Sequence, residues 1–546
     1  MIAFFRKHWN LTILIIFYVF SFGLIPFTVG IFWDDWTLVD VKKSALITIY
    51  QQMGLPGLRY IHALLLPLGG LPILLVYKLL IFMSYLFAAF FLNSILKTIK
   101  EIRLIERLFI VIIFAILPVN FGRIAMIDIP YALSYGLFFQ GLWFLSIYFK
   151  NRNLWLRFIS LCLLLVSFAT NSLLFYYLIV IAYIIYIERV HLKKLVSSAK
   201  VAIKYLDYLL LPVFYWVIKG SFFVPSGIYT GYNKIDSSKF LLSYQKIIDG
   251  FDTCFWDVLR NSFLSLHTYP IIVLFGSFIV FIFLSKTIKV FEPDNKHDCA
   301  REILRQIRFI LLGLVLLWLA IFPYYAAGAE PTVTDWTSRN QLLIPLGASF
   351  LIYFGISLLS NCIRIIFELA NTDKIKLFII SLILTLFTLE NFSVYLSFQK
   401  DWLKQLSLIE NFRTNEDVKN NTTFAIFDNT TELNSINRRY RFYEYAGQFK
   451  TAFGDESRLG EDAQLMAQPE YYSRFHAYPE YNISNYIPKE PEYTIVISAG
   501  SFKLSNLNMV KLLYYKFIDK NKYEENIKNI VQVKTAKITQ NSGLRN

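Results

Sequence analysis

"LTILIIFYVFSFGLIPFTVGIFWDDWTLVD", residues 11–40, runs without a charge to Phe32 and then sets Asp34 and Asp35 between Trp33 and Trp36. A helix crossing the hydrocarbon needs about 20 mostly apolar residues, because each residue rises about 1.5 Å and every backbone polar group must be bonded internally. The run meets that length. It exceeds a signal-peptide core and lacks a small-residue cleavage site, so it reads as a retained span.

The same grammar recurs along the chain. With 56% hydrophobic, 18% aromatic and 17% charged residues and a mean hydropathy of +0.47, the composition lies outside the soluble globular mix. The reading is a polytopic α-helical membrane protein of about eleven transmembrane helices, with a C-terminal extracytoplasmic mixed α/β domain. The expected spans are 11–32, 71–92, 108–126, 130–149, 154–171, 173–187, 203–219, 268–285, 308–327, 341–359 and 375–397. The membrane part is residues 1–398, with interfacial helices in 33–62 and an outer loop at 220–267; the soluble part is 399–546.

Orientation follows from the positive-inside rule. With a cytoplasmic N-terminus, the inner segments hold 23 Lys plus Arg and the outer loops 9. The Asp pair, the 220–267 loop and the C-terminal part then face outward across a plasma or inner membrane. The net charge of +15 is mostly this topological excess, since residues 398–546 carry 20 basic against 18 acidic groups. No separate basic domain for nucleic acid is evident. The four cysteines have no zinc-like spacing, and only Cys254 falls on the outer side.

After Gln399 the apolar runs shorten, as in "TTFAIF" (422–427) and "EYTIVISAG" (492–500), between Asn, Asp, Gly and Pro clusters. That is strand-and-loop grammar. "NMVKLLYYKFI" (508–518) reads as a helix, and Asp428 in "FDNTT" as a turn residue.

The outer rim gathers the chemistry. Leu38, Val41, Ala45, Ile49 and Met53 recur at helical spacing, predicting an amphipathic interfacial helix. "MGLPGLRYIH" follows, with Arg59 and His62; "GRIAMIDIP" brings Arg123 and Asp128; "AEPTVTDWTSRNQ" brings Glu330, Asp335 and Arg339. Within the spans themselves, the ionisable or polar positions noted are Glu390 and Asn171.

An Asp pair at the outer end of the first span, interfacial helices in the first outer loop, about a dozen spans and a soluble outer C-terminal domain together resemble the GT-C superfamily of membrane glycosyltransferases. The sharp motif is "WDDW"; the rest of the likeness is architectural. The resemblance implies transfer of a sugar from a polyprenyl-phosphate or polyprenyl-diphosphate carrier to a glycan, lipid or protein acceptor on the outer face, with inversion. It also implies that Asp34 or Asp35 is the catalytic general base.

Elementary chemistry asks for the same parts. The acceptor needs a base, the departing phosphate needs cations, and the site needs shelter from water. A carboxylate at the bilayer edge loses hydration, which raises its pKa and makes it a better base. Arginine suits phosphate through its planar fork, so Arg339 is the first choice, Arg59 the second, and Arg123, His62, Asp128 and Asp335 complete the candidate substrate site. One Asp is read as the base, Asp34 first, and the other as an orienting or metal-contacting partner; no cofactor is assigned, and a divalent metal stays an option for which an isolated Asp pair is thin evidence.

Each feature has a plainer reading. The Asp pair caps a helix; Trp33 and Trp36 anchor at the membrane interface; Asp128 before Pro130 starts a helix. Ser338 and Gln341 form a capping box that places Arg339 in a first turn; Arg123 snorkels to headgroups; His62 is a hydrogen-bonded interface residue. The competing function classes are a polysaccharide polymerase or ligase, and a transporter or flippase of lipid-linked sugars. Transporters concentrate ionisable groups at mid-membrane, whereas here they crowd the rim.

Overall fold

The computed structural model describes residues 9–39, 41, 43–65, 70–188, 195–230, 244–287, 296–333, 336–367, 372–466, 485–487 and 489–538. Six helices among them are long and apolar enough to cross a membrane: Leu74–Leu96, Met126–Asn151, Pro270–Thr287, Ala300–Ala326, Ile344–Phe367 and Thr372–Arg413. A polytopic membrane protein stands; a count of about eleven spans does not.

The shortfall has a backbone cause. Helices occur at the other five positions but are interrupted. Trp9–Phe22 has 14 residues among the described ones and breaks at Gly23, before a short helix Leu24–Phe27 that holds Pro26 and ends at an extended Thr28. Leu104–Ile116 has 13 residues and ends before Pro118 and a left-handed Asn120. Leu154–Ser167, with 14, breaks at Thr170 and Asn171, and Leu178–Ile187 has only 10. Leu206–Phe222 has 17 and carries Asp207, Pro212 and Lys219. At about 1.5 Å per residue, 13 or 14 residues reach roughly 20 Å, short of a hydrocarbon core of about 30 Å.

Small residues set the closest helix crossings. A Cβ on Gly347 of the Ile344–Phe367 helix would lie 2.5 Å from the backbone nitrogen of Leu317, and one on Gly313 would lie 3.1 Å from the Gly347 carbonyl oxygen. The two backbones touch there because neither partner has a side chain, the usual device for packing helices in lipid.

Helices form where interfacial ones are expected, as Lys43–Gln52 and Pro56–Leu65. The buried stripe of the first differs from the expected one. Because the helix starts at Lys43, Leu38 and Val41 lie off it, and Leu46 with Tyr50 face the interior. In the 220–267 stretch, Tyr244–Phe251, a π turn Asp252–Trp256 and Asp257–Thr268 form one helical run; 231–243 lies outside the described residues.

The last spanning helix continues. Thr372–Thr414 is a single helix of 43 residues, so the compositional change after Gln399 falls inside a helix rather than at a linker. Its far end, through Leu408 and Phe412, enters the core of a four-stranded sheet. The strands are β1 (Thr423–Asp428), β2 (Leu459–Asp462), β3 (Tyr493–Ala499) and β4 (Val531–Lys537), in the order β2-β1-β3-β4. β1 is parallel to β2 and β3, and β4 is antiparallel to β3. This is the mixed sheet expected of the C-terminal part. A helix at Phe442–Phe453, between β1 and β2, lies against the turn of the Asp pair.

Candidate functional site

The "WDDW" stretch is a tight turn. Trp33 has φ of +51°, and backbone amides of Asp35, Trp36 and Thr37 donate to the carbonyls of Phe32, Trp33 and Asp34 at 3.1, 3.2 and 2.9 Å. A left-handed tryptophan is sterically disfavoured and persists only where its surroundings hold it, a pattern common at functional sites. Its effect is to send the two carboxylates in different directions.

Asp35 is fully buried. It accepts from the Ile127 amide at 2.9 Å and the Phe32 amide at 3.4 Å, and lies 3.8 Å from Lys78 Nζ. Burial pushes its pKa up to about 6, against the opposing pull of Lys78 and three backbone amides. Lys78 donates to the Ile124 carbonyl. The acid and the lysine thus grip the same loop from two sides.

Asp34 is half-buried, and its carboxylate makes no hydrogen bond or ion pair among the described residues. It stands at the N-cap of the helical turn Asp35–Leu38 yet makes no capping bond, so the capping role does not hold. Tyr50 of the Lys43–Gln52 helix and Tyr443 of the C-terminal domain both feel its charge.

The loop from Pro118 to Asp128 supplies the second wall. Arg123 is buried between the rings of Phe22 and Tyr85, each 4.5 Å from its guanidinium carbon, and donates to the carbonyls of Asn120 and Val119 at 3.0 and 2.7 Å. It stiffens this loop and does not snorkel. Asp128 is also buried; it caps nothing, and its Oδ1 has no hydrogen-bond partner among the described residues. A Cβ on Gly122 would meet Asp128 Oδ2 at 3.1 Å and Arg339 Cβ at 3.4 Å, which puts these three residues side by side. Asp128 interacts electrostatically with Arg339, Asp35, Asp34 and Arg123.

Arg339 sits on a 3-10 turn, Trp336–Gln341, stacked 4.2 Å over Trp336. The expected capping box is absent. Ser338 Oγ accepts instead from the Gly122 amide at 3.1 Å, and Gln341 Oε1 from the Asn120 amide at 3.3 Å, tying this turn to the 118–128 loop.

His62 is enclosed between Tyr50 and Tyr77, ring centroids 5.4 and 5.6 Å away, with Nδ1 2.8 Å from the Tyr77 hydroxyl. Burial pushes its pKa down to about 4. Arg59 lies on the same helix, but its side chain, like Asp335, falls outside the described residues. Glu330 pairs with Lys246 at 3.2 Å in exposed surroundings. Among the described residues no group of three or more His, Cys, Asp or Glu is arranged to hold a metal.

The C-terminal domain closes the top. Arg438 lies 5.0 Å over the Trp33 ring, whose centroid is 5.4 Å from those of Trp336 and Phe398. Trp36 packs flush on Gly447, where a Cβ would overlap the indole. Both tryptophans are therefore interior contacts between parts of the protein, not membrane anchors. Asp428 is the turn residue expected: it accepts from the Thr430 amide and hydroxyl at 2.9 and 2.7 Å and pairs with Lys404 at 2.6 Å.

Buried polar atoms without a hydrogen-bond partner among the described residues include Trp33 Nε1, His62 Nε2, Asn120 Oδ1, Asp128 Oδ1 and Tyr395 Oη. Native interiors leave few such atoms, and each is a place for water or ligand. No protein-family model matches the chain, and no curated protein matches it. The site thus stands on its own geometry.

Two residues escaped the sequence reading. Lys78 had a usable signal, a lone lysine within "VYKLLIF" (76–82), since an ionisable group inside a span is a functional pointer by default. Arg438 had none, because nothing near it in "SINRRYRFYEY" (435–445) announces a partner at Trp33.

Proposed function

We propose that this chain is a membrane glycosyltransferase of the GT-C kind, using Asp34 as general base on an acceptor hydroxyl at the outer face of a plasma or inner membrane. The observation that carries the reading is the division of labour in the Asp pair. Asp35 is locked by the 118–128 loop and Lys78, while the partly open Asp34 carboxylate beside it makes no hydrogen bond or ion pair among the described residues. A base must be free to accept a proton; a structural acid need not be.

In this mechanism the acceptor hydroxyl hydrogen-bonds to Asp34 and passes its proton there as its oxygen attacks the anomeric carbon. The bond from that carbon to the carrier's phosphate oxygen breaks, and the electron pair leaves on the phosphate. Arg339 carries the phosphate charge, with Asp128 orienting it. Attack opposite the leaving group inverts the centre. The donor is a sugar on polyprenyl phosphate or diphosphate, and the acceptor a glycan, lipid or protein.

Asp34→Asn is expected to abolish cell-surface glycan transfer with normal expression and membrane insertion, read by mass analysis of surface glycans in a deletion strain carrying the variant. A full complement of glycan with Asp34→Asn sinks the assignment. A second reading, a transporter of lipid-linked sugars, gains from Lys78, a charge within the bundle. It predicts that purified protein in vesicles moves lipid-linked sugar across the bilayer without any transfer to acceptor.

A further inference from the structure

We propose that the C-terminal domain is an integral part of this site, and that its Arg438 is a positioning residue that aims the Asp pair by holding Trp33. Trp33 occupies a backbone conformation that a bulky residue leaves unless it is held. Its ring is enclosed by Phe398 and Trp336 at 5.4 Å and by the Arg438 guanidinium at 5.0 Å. Arg438 is itself fixed. Its Nη1 donates to Glu444 Oε2 at 2.7 Å and its Nη2 forms an ion pair with Glu444 Oε1; it lies 3.5 Å from Asp401 and 5.1 Å from the Tyr440 ring, and its side chain is 7% exposed.

Those anchors belong to the C-terminal domain and to the long helix that carries it. On the other side of the acids, Trp36 fits against Gly447, whose missing side chain makes the slot. Both tryptophans that bracket the carboxylates are therefore gripped from the same domain. Among the described residues the turn's own backbone bonds close neighbouring residues only, so apart from the Asp35 contacts to Ile127 and Lys78 its shape is held through the two tryptophans. Release of Trp33 would let the chain relax out of the left-handed region, and the first consequence is that Asp35 turns away from Lys78 and Ile127.

The test needs no substrate. Purified full-length protein in detergent is treated with a water-soluble carbodiimide and an amine, and labelled carboxylates are counted by mass spectrometry. In the wild type, Asp34 labels and buried Asp35 does not, while Glu416, with a side chain 76% exposed, serves as the remote standard. In Arg438→Gln the selectivity for Asp34 over Asp35 is expected to fall by about tenfold, the scale of preference against left-handed backbone for one residue. Glu416 labelling is expected to stay constant. Arg438→Lys keeps a charge for Glu444 but loses the flat fork that lies on the indole, so it is expected to show the same fall, and it supplies the comparison if the Gln variant does not fold.

Unchanged selectivity in a folded Arg438 variant overturns the proposal, because a purely structural ion pair has no reason to spare the rest of the domain and expose Asp35. The role in transfer rests on the glycosyltransferase reading. The labelling does not, so it and the Asp34→Asn glycan assay can fail separately.

Discussion

Asp35 and Lys78 are both withdrawn from water, which makes each of them dependent on the other. Breaking a buried pair by removing one partner costs about 3–5 kcal/mol, since the survivor's charge stays desolvated, whereas replacing both with apolar groups is often nearly neutral. Asp35→Asn is therefore expected to lower unfolding stability by that amount, and Asp35→Asn with Lys78→Met to recover most of it. Simple addition of the two single losses in denaturant unfolding would refute the coupling. His62 gives the pH counterpart. Its folded pKa near 4 lies below its ordinary 6.5, so between those values the unfolded chain binds a proton that the folded chain refuses, and stability falls as pH drops through the window. His62→Gln is expected to flatten that fall in the unfolding midpoint; an identical slope would show that His62 is not the group responsible. At this scale the sequence was partly legible. The acids announced themselves by following an apolar run, but which of them is locked depends on Ile127 and Lys78, far along the chain.

Helices were easier to locate than to count. Hydropathy sums side chains and ignores the backbone, so an apolar run that turns at Asn120 or breaks at Gly23 still scores as a span. The two strands and the helix expected in the soluble part fared better, because Thr423–Asp428, Tyr493–Ala499 and Asn506–Ile518 are bounded by Asn, Gly and Ser that end or cap elements. Likewise the Ser338 and Gln341 pattern looked local and proved to be a bridge between two loops. The crossing at Gly313 and Gly347 yields a prediction at this scale. Gly347→Val would set side-chain atoms against the Leu317 backbone, and overpacking of this kind costs about 1–3 kcal/mol. Thermal unfolding in detergent should show the loss, while Gly355→Val on the same helix, where a Cβ would meet nothing within 4 Å, should be neutral.

The whole molecule is organised around the Thr372–Thr414 helix, which holds neither glycine nor proline. It touches the first helix at Thr388 and Tyr395, Trp33 through Phe398, and the sheet at its far end. Proline in a helix interior removes a hydrogen bond and costs about 3 kcal/mol or more. Lys400→Pro is thus expected to unseat the C-terminal domain from Trp36 and open the 30–40 segment to protease, with the membrane bundle still folded. Resistance equal to wild type would mean that the domain is held chiefly by other contacts. At about 1.5 Å per residue the helix is roughly 65 Å long. A rod of that length rooted among the spans cannot bend at a preset joint, so the roof over Asp34 does not lift like a hatch. On the proposed glycosyltransferase reading, substrate would therefore reach the acids sideways, beneath a fixed canopy.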